Sequence, residues 1–456
     1  MGDPSLFQKR HWERSYWSIP ERWGFVPIGA LFEQRSETSS DTDTFPLYSF
    51  TIEDGVTQKT QRYERSFLLK DADENKFAVV QPGDFVSNPM NLRFGAIGYS
   101  RVPFPVLVSG YYDVLIPDIE RVDSRYLETF LRTPWAMNLY DRIAIGSLSE
   151  KRRIHLSILN KTYIPLPSLT EQREIADILS TWDRAIDVTE RIIAAKQQRK
   201  QALMQQLLTG EIQLSPFSSD SAPQLNRLAR VPAAVRRGIY PPSVQPGIPK
   251  LKASPAGWQE KTMSDLLRIE KRSIELNDDT EYQLVVAKRN RGGIEPRERL
   301  RGKDIKTPTQ FEVRENDFLI SRRQIIHGAC GVVPADLNGA IVSNEYSVCT
   351  ANGQLDLNFL KYLSHTLYFQ QTCFHASVGV AIEKMIFKLD QWLKFPFLIP
   401  PIQEQRAISS FLCHMDQEID KLSRKKTLLL KQKQGLIQQL LTGKVRVSVG
   451  AETVKG

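Results

Sequence analysis

The chain has 456 residues, 41% of them hydrophobic and 25% charged, a balance that excludes disordered and fibrous classes and leaves room for two to four domains with cores of their own. Sixty-one Lys and Arg against 52 Asp and Glu give a formal charge of +9, which favours a polyanionic partner without naming one. Cys330, Cys349, Cys373 and Cys413 stand 19, 24 and 40 residues apart, so no CxxC pair seeds zinc or redox chemistry; with no signal-type or 18-residue apolar run, the expected setting is a bacterial cytoplasm.

In chain order, a polar tail over residues 1–15 precedes a block over 16–167 that mixes strand-type runs such as FAVVQ with helical pieces such as RYLETFLRT. It opens with IPERWGFVPIGALF, in which proline marks a turn and Trp23 anchors it. Its loop SNPMNLR offers Asn88, Asn91 and Arg93, and SLSEKRR near its end offers Lys151 and Arg152. From 171 to 208 there is neither Gly nor Pro, and Ile175, Leu179, Trp182, Ile186 and later Leu207 fall on a helical stripe. Thr170 is the expected cap and Gly210 the expected stop of this segment, placed at 168–212. About 38 residues make a helix near 57 Å long, which must pack against something equally long. Residues 213–250 follow as a linker; its stretch from 215 to 250 has seven prolines, which favour an extended chain.

A second mixed block occupies 251–400 and opens with SPAGWQEKTMSDLL around Trp258. KRNRGGIEPRERLRGK, from Lys288, sets seven basic residues against two acidic ones and offers Lys288, Arg289 and Arg291; SRRQ offers Arg322, Arg323 and Gln324. Residues 401–444 form a second long helical segment striped by Ile408, Leu412, Met415, Ile419 and Leu440, before a tail over 445–456.

The two halves are copies. At a fixed offset of 233, EQREIADIL from Glu171 meets EQRAISSFL from Glu404, QQLLTG from Gln205 meets QQLLTG from Gln438, and 18 of the 44 positions from 171 to 214 are identical. The offset extends faintly further, pairing GDFVSN with NDFLIS, Gly95 and Gly98 with Gly328 and Gly331, and Gly146, Glu150 and Lys151 with Gly379, Glu383 and Lys384. Divergent blocks behind matched helices imply two related modules with different specificities. Basic loops with Arg, Asn and Gln suit DNA, since lysine and arginine meet phosphates while Arg, Asn and Gln reach base edges. For each such residue a solvated surface role competes, as it does for Lys196, Lys200, Lys425 and Lys433 along the helices.

Catalytic motifs are missing from the sequence. It has no GxxxxGK[ST] loop, no Asn/Asp-Pro-Pro-aromatic motif, and no histidine pair with a glutamate at metal spacing. Asp118 and Glu120 in IPDIERVD are read as a surface turn rather than a nuclease fragment. A pure interaction protein remains the alternative; a DNA reader, unlike it, loses affinity steeply as salt rises.

The Pro/Trp opening of each half, the EQR helix start and the LLTG helix end resemble the specificity subunits of type I restriction-modification systems, HsdS, over essentially the whole chain. The resemblance implies a mixed α/β (α+β) fold of two target-recognition domains joined by two long antiparallel helices, a tandem-duplicated pseudo-twofold architecture in which helix length sets the gap between two DNA half-sites. It also implies a non-catalytic chain that binds double-stranded DNA, two methyltransferase subunits and two restriction/translocase subunits. On that reading the chain itself binds no cofactor, and S-adenosylmethionine, ATP and Mg belong to the partner subunits. The linker is longer and richer in proline than the family's compact join, and the second helix contains Gly435.

Overall fold

The computed structural model describes residues 20–58, 77–146, 152–214, 244–251 and 253–447; Lys151, the tail over 1–15 and the linker from 215 to 243 lie outside them. The chain divides into two compact units, Met1–Thr189 with Lys425–Gly456, and Glu190–Arg424. Each unit takes the first half of one long helix and the last half of the other.

Both units repeat one plan. In the first, a four-stranded antiparallel sheet runs Phe32–Gln34, Asp113–Pro117, Phe85–Ser87, Ile97–Tyr99. In the second, the same order is Leu267–Glu270, Tyr346–Ala351, Phe318–Ser321, Cys330–Val332. A two-stranded ribbon closes each unit, Gly24–Pro27 with Tyr163–Leu166 and Gln259–Thr262 with Pro396–Ile399. The outer sheets differ among the described residues: the second unit carries a long hairpin, Glu281–Ala287 with Ile294–Arg301, whose basic outer strand is almost wholly exposed, and the first a shorter one, Tyr48–Thr51 with Gly55–Gln58.

A pair of ions pins the sheet in each copy. Arg35 donates to Asp84 at 2.6 and 3.1 Å, and Arg272 to Asp317 at 2.6 and 3.1 Å; the carboxylates are buried. Each Asp also accepts a backbone N–H, from Gln81 and Arg314, so its lone pairs are used. The preceding turn needs a left-handed residue, supplied by Gly83 at φ 90° and by Asn316 at φ 64°.

The long helices are Leu169–Leu208 and Ile402–Leu440. Thr170 lies inside the first; the cap is Ser168, whose Oγ accepts the Glu171 N–H at 3.3 Å and whose carbonyl accepts that of Gln172 at 2.9 Å. Gly210, at φ 69°, stands in the turn beyond its end.

The helix stripes feed the domain cores as well as the seam between helices. In the first unit Ile175, Ala176 and Leu179 share one buried cluster with Trp23, Tyr126 and Ile164, and Leu440 of the second helix and Leu441 just past its end join it. In the second unit Ile408 and Leu412 pack with Trp258, Phe359 and Trp392, and Leu203, Leu207 and Leu208 of the first helix join them. Ile186 and Ile419 are buried, while Trp182 and Met415 are half-buried. Burying each of those leucines contributes about 1.5–3 kcal/mol, enough to dock a helix end.

Identical residues of the two copies thus make identical bonds. The indole N–H of Trp23 donates to Glu171 at 3.2 Å, and that of Trp258 to Glu404 at 3.3 Å. Gln172 accepts the Asp123 N–H and donates to the carbonyls of Arg121 and Pro167; Gln405 does the same with Asp356, Gln354 and Pro400. Each LLTG glycine meets the other copy's opening proline: a Cβ on Gly210 would fall 2.1 Å from Pro255 Cγ, and one on Gly443 2.2 Å from Pro20 Cγ. Between helices the pairs are Asp183 with Lys433 in the first unit, and Asp416 with Lys200 and Glu418 with Lys196 in the second. They run antiparallel.

Candidate nucleic-acid interface

In the first unit, the turn after the strand Phe85–Ser87 carries Asn88, Asn91 and Arg93. Asn88 Oδ1 accepts the Met90 N–H at 3.1 Å, and the Asn91 carbonyl accepts the N–H groups of Phe94 and Ala96 at 2.9 and 3.2 Å, which leaves the Asn91 side chain exposed. Gly95, at φ 83°, closes the turn. Arg93 Nε donates to Asp141 at 2.7 Å, and Arg152 reaches the same carboxylate at 3.2 Å and the Ala144 carbonyl at 3.1 Å. The Arg93 guanidinium, with Arg152, holds the Asp141 carboxyl below its usual range. Ile154 donates to the Pro89 carbonyl, which ties the chain segment bearing Arg152 to the Asn88 turn. The structure therefore brings Asn88, Asn91, Arg93 and Arg152 together. Exposed Met90 and Phe94 stand among them.

The equivalent turn of the second unit carries Arg322, Arg323 and Gln324 and is closed by Gly328 at φ 77°. Gln324 Oε1 accepts Arg289 Nε at 2.9 Å, so SRRQ and KRNR, 35 residues apart, form one surface. Arg289 also meets Glu383 at 3.3 Å, Arg323 chelates Glu345, and Lys288 meets Glu295 at 3.0 Å. Glu295 and Glu383 are exposed and Glu345 is half-buried, so each pair is open to exchange with a phosphate at small cost.

Arg291 differs from its neighbours. It and Asn290 take left-handed backbone at φ 59° and 56°, its N–H donates to the Gly328 carbonyl at 2.9 Å, and its Nε donates to the Ser364 carbonyl at 3.0 Å. Burial lowers the pKa of its guanidinium, so this arginine is turned into the fold as a strut under the loop. Beside it a cleft of about 190 Å³ is lined by Lys361, Ser364 and His365. Burial, with Arg291 and lysines nearby, pushes His365 down to about 3, so it stands neutral at pH 7.

Two features of this surface were invisible to motif reading. His327 is buried beneath it, its pKa lowered by burial and by Arg289, with Glu383 at 3.4 Å. A hairpin, Ser377–Val378 with Ile386–Phe387, stands at its edge, held by the Phe387 N–H on the Arg322 carbonyl at 2.9 Å. The signal for the hairpin was the offset match of Gly379, Glu383 and Lys384 to the first half. Asp118 and Glu120 sit in a turn closed by the Glu120 N–H on Asp118 Oδ1 at 3.2 Å. Among the described residues no three His, Cys, Asp or Glu side chains are grouped to hold a metal ion, and no helix is long and apolar enough to cross a membrane.

Residues 20–196 and 255–432 each match the family model described as the type I restriction modification DNA specificity domain. The putative type I restriction enzyme MjaX specificity subunit of Methanocaldococcus jannaschii is 26% identical over 349 residues, covering 73% of this chain and 71% of that one. Two solved structures share the fold. A chain described under "complex assembly and conformational transition of the type I R-M system" superposes with TM-score 0.51 at 15% identity, over 94% of this chain and all of that one. The type I restriction-modification S subunit from M. genitalium superposes with TM-score 0.50 at 12% identity, over 92% and 96%.

Proposed function

We propose, because this chain belongs to the specificity-subunit family of type I restriction-modification systems, that its two specificity domains read the two halves of a split DNA target, one half each. The observation that carries this is chemical difference at equivalent positions of a duplicated frame. Asn88, Asn91 and Arg93 on one turn stand where the other has Ser321, Gln324 and Ile326. Asparagine and glutamine suit adenine edges, arginine suits guanine, and lysine or arginine on the rim suits phosphate.

The readers span residues 16–167 and 251–400. In the first, Asn88, Asn91, Arg93, Lys151 and Arg152 contact DNA. In the second, Lys288, Arg289, Arg322, Arg323 and Gln324 do so, with Arg291 holding their loop. The long helices over 168–212 and 401–444, held together through Asp183, Lys200, Asp416 and Lys433, are the scaffold for two methyltransferase and two restriction/translocase subunits. The chain directs their chemistry and performs none of its own.

The test is single-molecule sequencing of DNA methylation in cells carrying this gene with its methyltransferase partner, against cells lacking this gene alone. The split motif should vanish with the gene, and exchanging residues 16–163 for those of another specificity subunit should change one half-site only. An unchanged methylome in an active system would refute the reading and favour a protein-interaction role.

A further inference from the structure

The geometry points to an apolar base reader on the second unit: we propose that Val378 and Val380, at the tip of the hairpin beside Arg289 and Gln324, enter the major groove and pack against the C5 methyl groups of thymines in that unit's half-site. The inference rests on the reading that this unit binds duplex DNA.

The hairpin is built to present apolar side chains outward. Val378 pairs with Ile386 across it, and their inward neighbours Met385 and Phe387 are buried in the core. On a half-buried ribbon the outward positions are ordinarily polar. Here they are Val378, 56% exposed, Ile386, 40% exposed, and at the tip Val380, fully exposed. Gly379 makes the sharp projection possible, since a Cβ there would lie 2.9 Å from Met385 Cα. Three exposed branched aliphatics on one small ribbon are not explained by folding, and they ask for a partner.

The frame around the tip says which partner. Glu383 of the hairpin binds Arg289, which binds Gln324; Phe387 is anchored on Arg322; Lys384 and Lys388 are exposed on the hairpin itself. Cations surrounding an apolar point, next to an Arg and a Gln suited to base edges, match a duplex groove, where the thymine methyl is the apolar mark on an otherwise polar floor. Glu383 fits the same floor as an acceptor for a cytosine amino group. The first unit holds a corresponding ribbon, Ile145 bonded to Arg153 in both directions at 2.9 Å, with Ile145 exposed. Arg153 replaces Ile386 there, so the two ribbons suit different bases.

The test uses the full complex with its methyltransferase subunits and a duplex bearing the motif found by methylation sequencing, compared with a duplex in which deoxyuridine replaces thymine throughout the second half-site. Wild-type protein should bind the uridine duplex about fourfold more weakly per contacted methyl. Val380→Ser should lose a similar factor on the thymine duplex and should then distinguish the two by a correspondingly smaller factor, with an unchanged melting temperature because Val380 is fully exposed. Equal binding of both duplexes by wild type, additive losses in the variant, or a second half-site without thymine would each overturn the proposal. Arg289→Ala and Gln324→Ala separate this from the underlying reading. If they erase discrimination at the second half-site while Val380→Ser does not, the tip alone is wrong; if none of the three matters, this unit does not read DNA there.

Discussion

Glu171 and Glu404 hold equivalent places, yet Glu→Gln at the two should differ. Both accept an indole N–H from an opening tryptophan. Glu171 also receives Arg446, through Nε at 2.7 Å and Nη2 at 2.9 Å, whereas the position matching Arg446 in the other copy is Gln213, whose amide donates to Ala256 instead. Bonds to charged groups contribute about 1.5–3 kcal/mol. Because the Arg446 side chain is 41% exposed, solvent screening reduces this to about 1–2 kcal/mol for the pair. At about 2–4 °C per kcal/mol for a unit of this size, Glu171→Gln should lower the melting temperature of the first unit by about 2–8 °C. At Glu404, burial raises the carboxyl pKa. Folded chain then binds the proton more tightly than unfolded chain, so stability falls as pH rises from the ordinary glutamate value through the folded one. A glutamine amide in its place would keep an acceptor for Trp258 without the buried charge, so Glu404→Gln should leave stability near pH 7 unchanged or slightly raised and flatten that pH slope. Scanning calorimetry of the full chain at about pH 5 and pH 7.5 measures both. Equal losses in the two variants, or a larger loss at Glu404, would refute the reasoning.

Gly210→Ala and Gly443→Ala should each cost about 2–5 kcal/mol, read by calorimetry, since both force an alanine into left-handed backbone and against a proline ring. Gly435→Ala should stabilise by about 0.5–1 kcal/mol, because Gly435 is exposed inside the second long helix with open space where a Cβ would go. In salt-dependent binding assays, Arg289→Ala should weaken cognate DNA by about 1–3 kcal/mol and relax one base position, whereas Arg322→Ala should weaken all sequences alike and reduce the salt slope by about 1.

Much of this was legible in the residues. A helix without Gly or Pro from 171 to 208 and its copy follow from local periodicity, which needs no tertiary knowledge. The offset of 233 made two modules certain and located the turns at Asn88 and Ser321, because duplication preserves the frame. Even the antiparallel pairing left a trace: Asp183 and Lys200, kept in the other copy as Asp416 and Lys433, lie 17 residues apart, about 25 Å along a helix, so they cannot pair with each other, and an antiparallel copy brings each an opposite charge. What tertiary structure decided is where each copy's ends are satisfied. QQLLTG reads as the end of its own half, yet Leu207, Leu208 and Gly210 close on Trp258 and Pro255, while Leu441 and Gly443 close on Trp23 and Pro20. Since the copies carry the same residues, either pairing satisfies the local pattern, and only the antiparallel helices select between them. The loops were hidden for a different reason. Arg289 faces outward and Arg291 inward because Asn290 and Arg291 take left-handed backbone, a choice made by the carbonyls of Gly328 and Ser364 from distant parts of the chain.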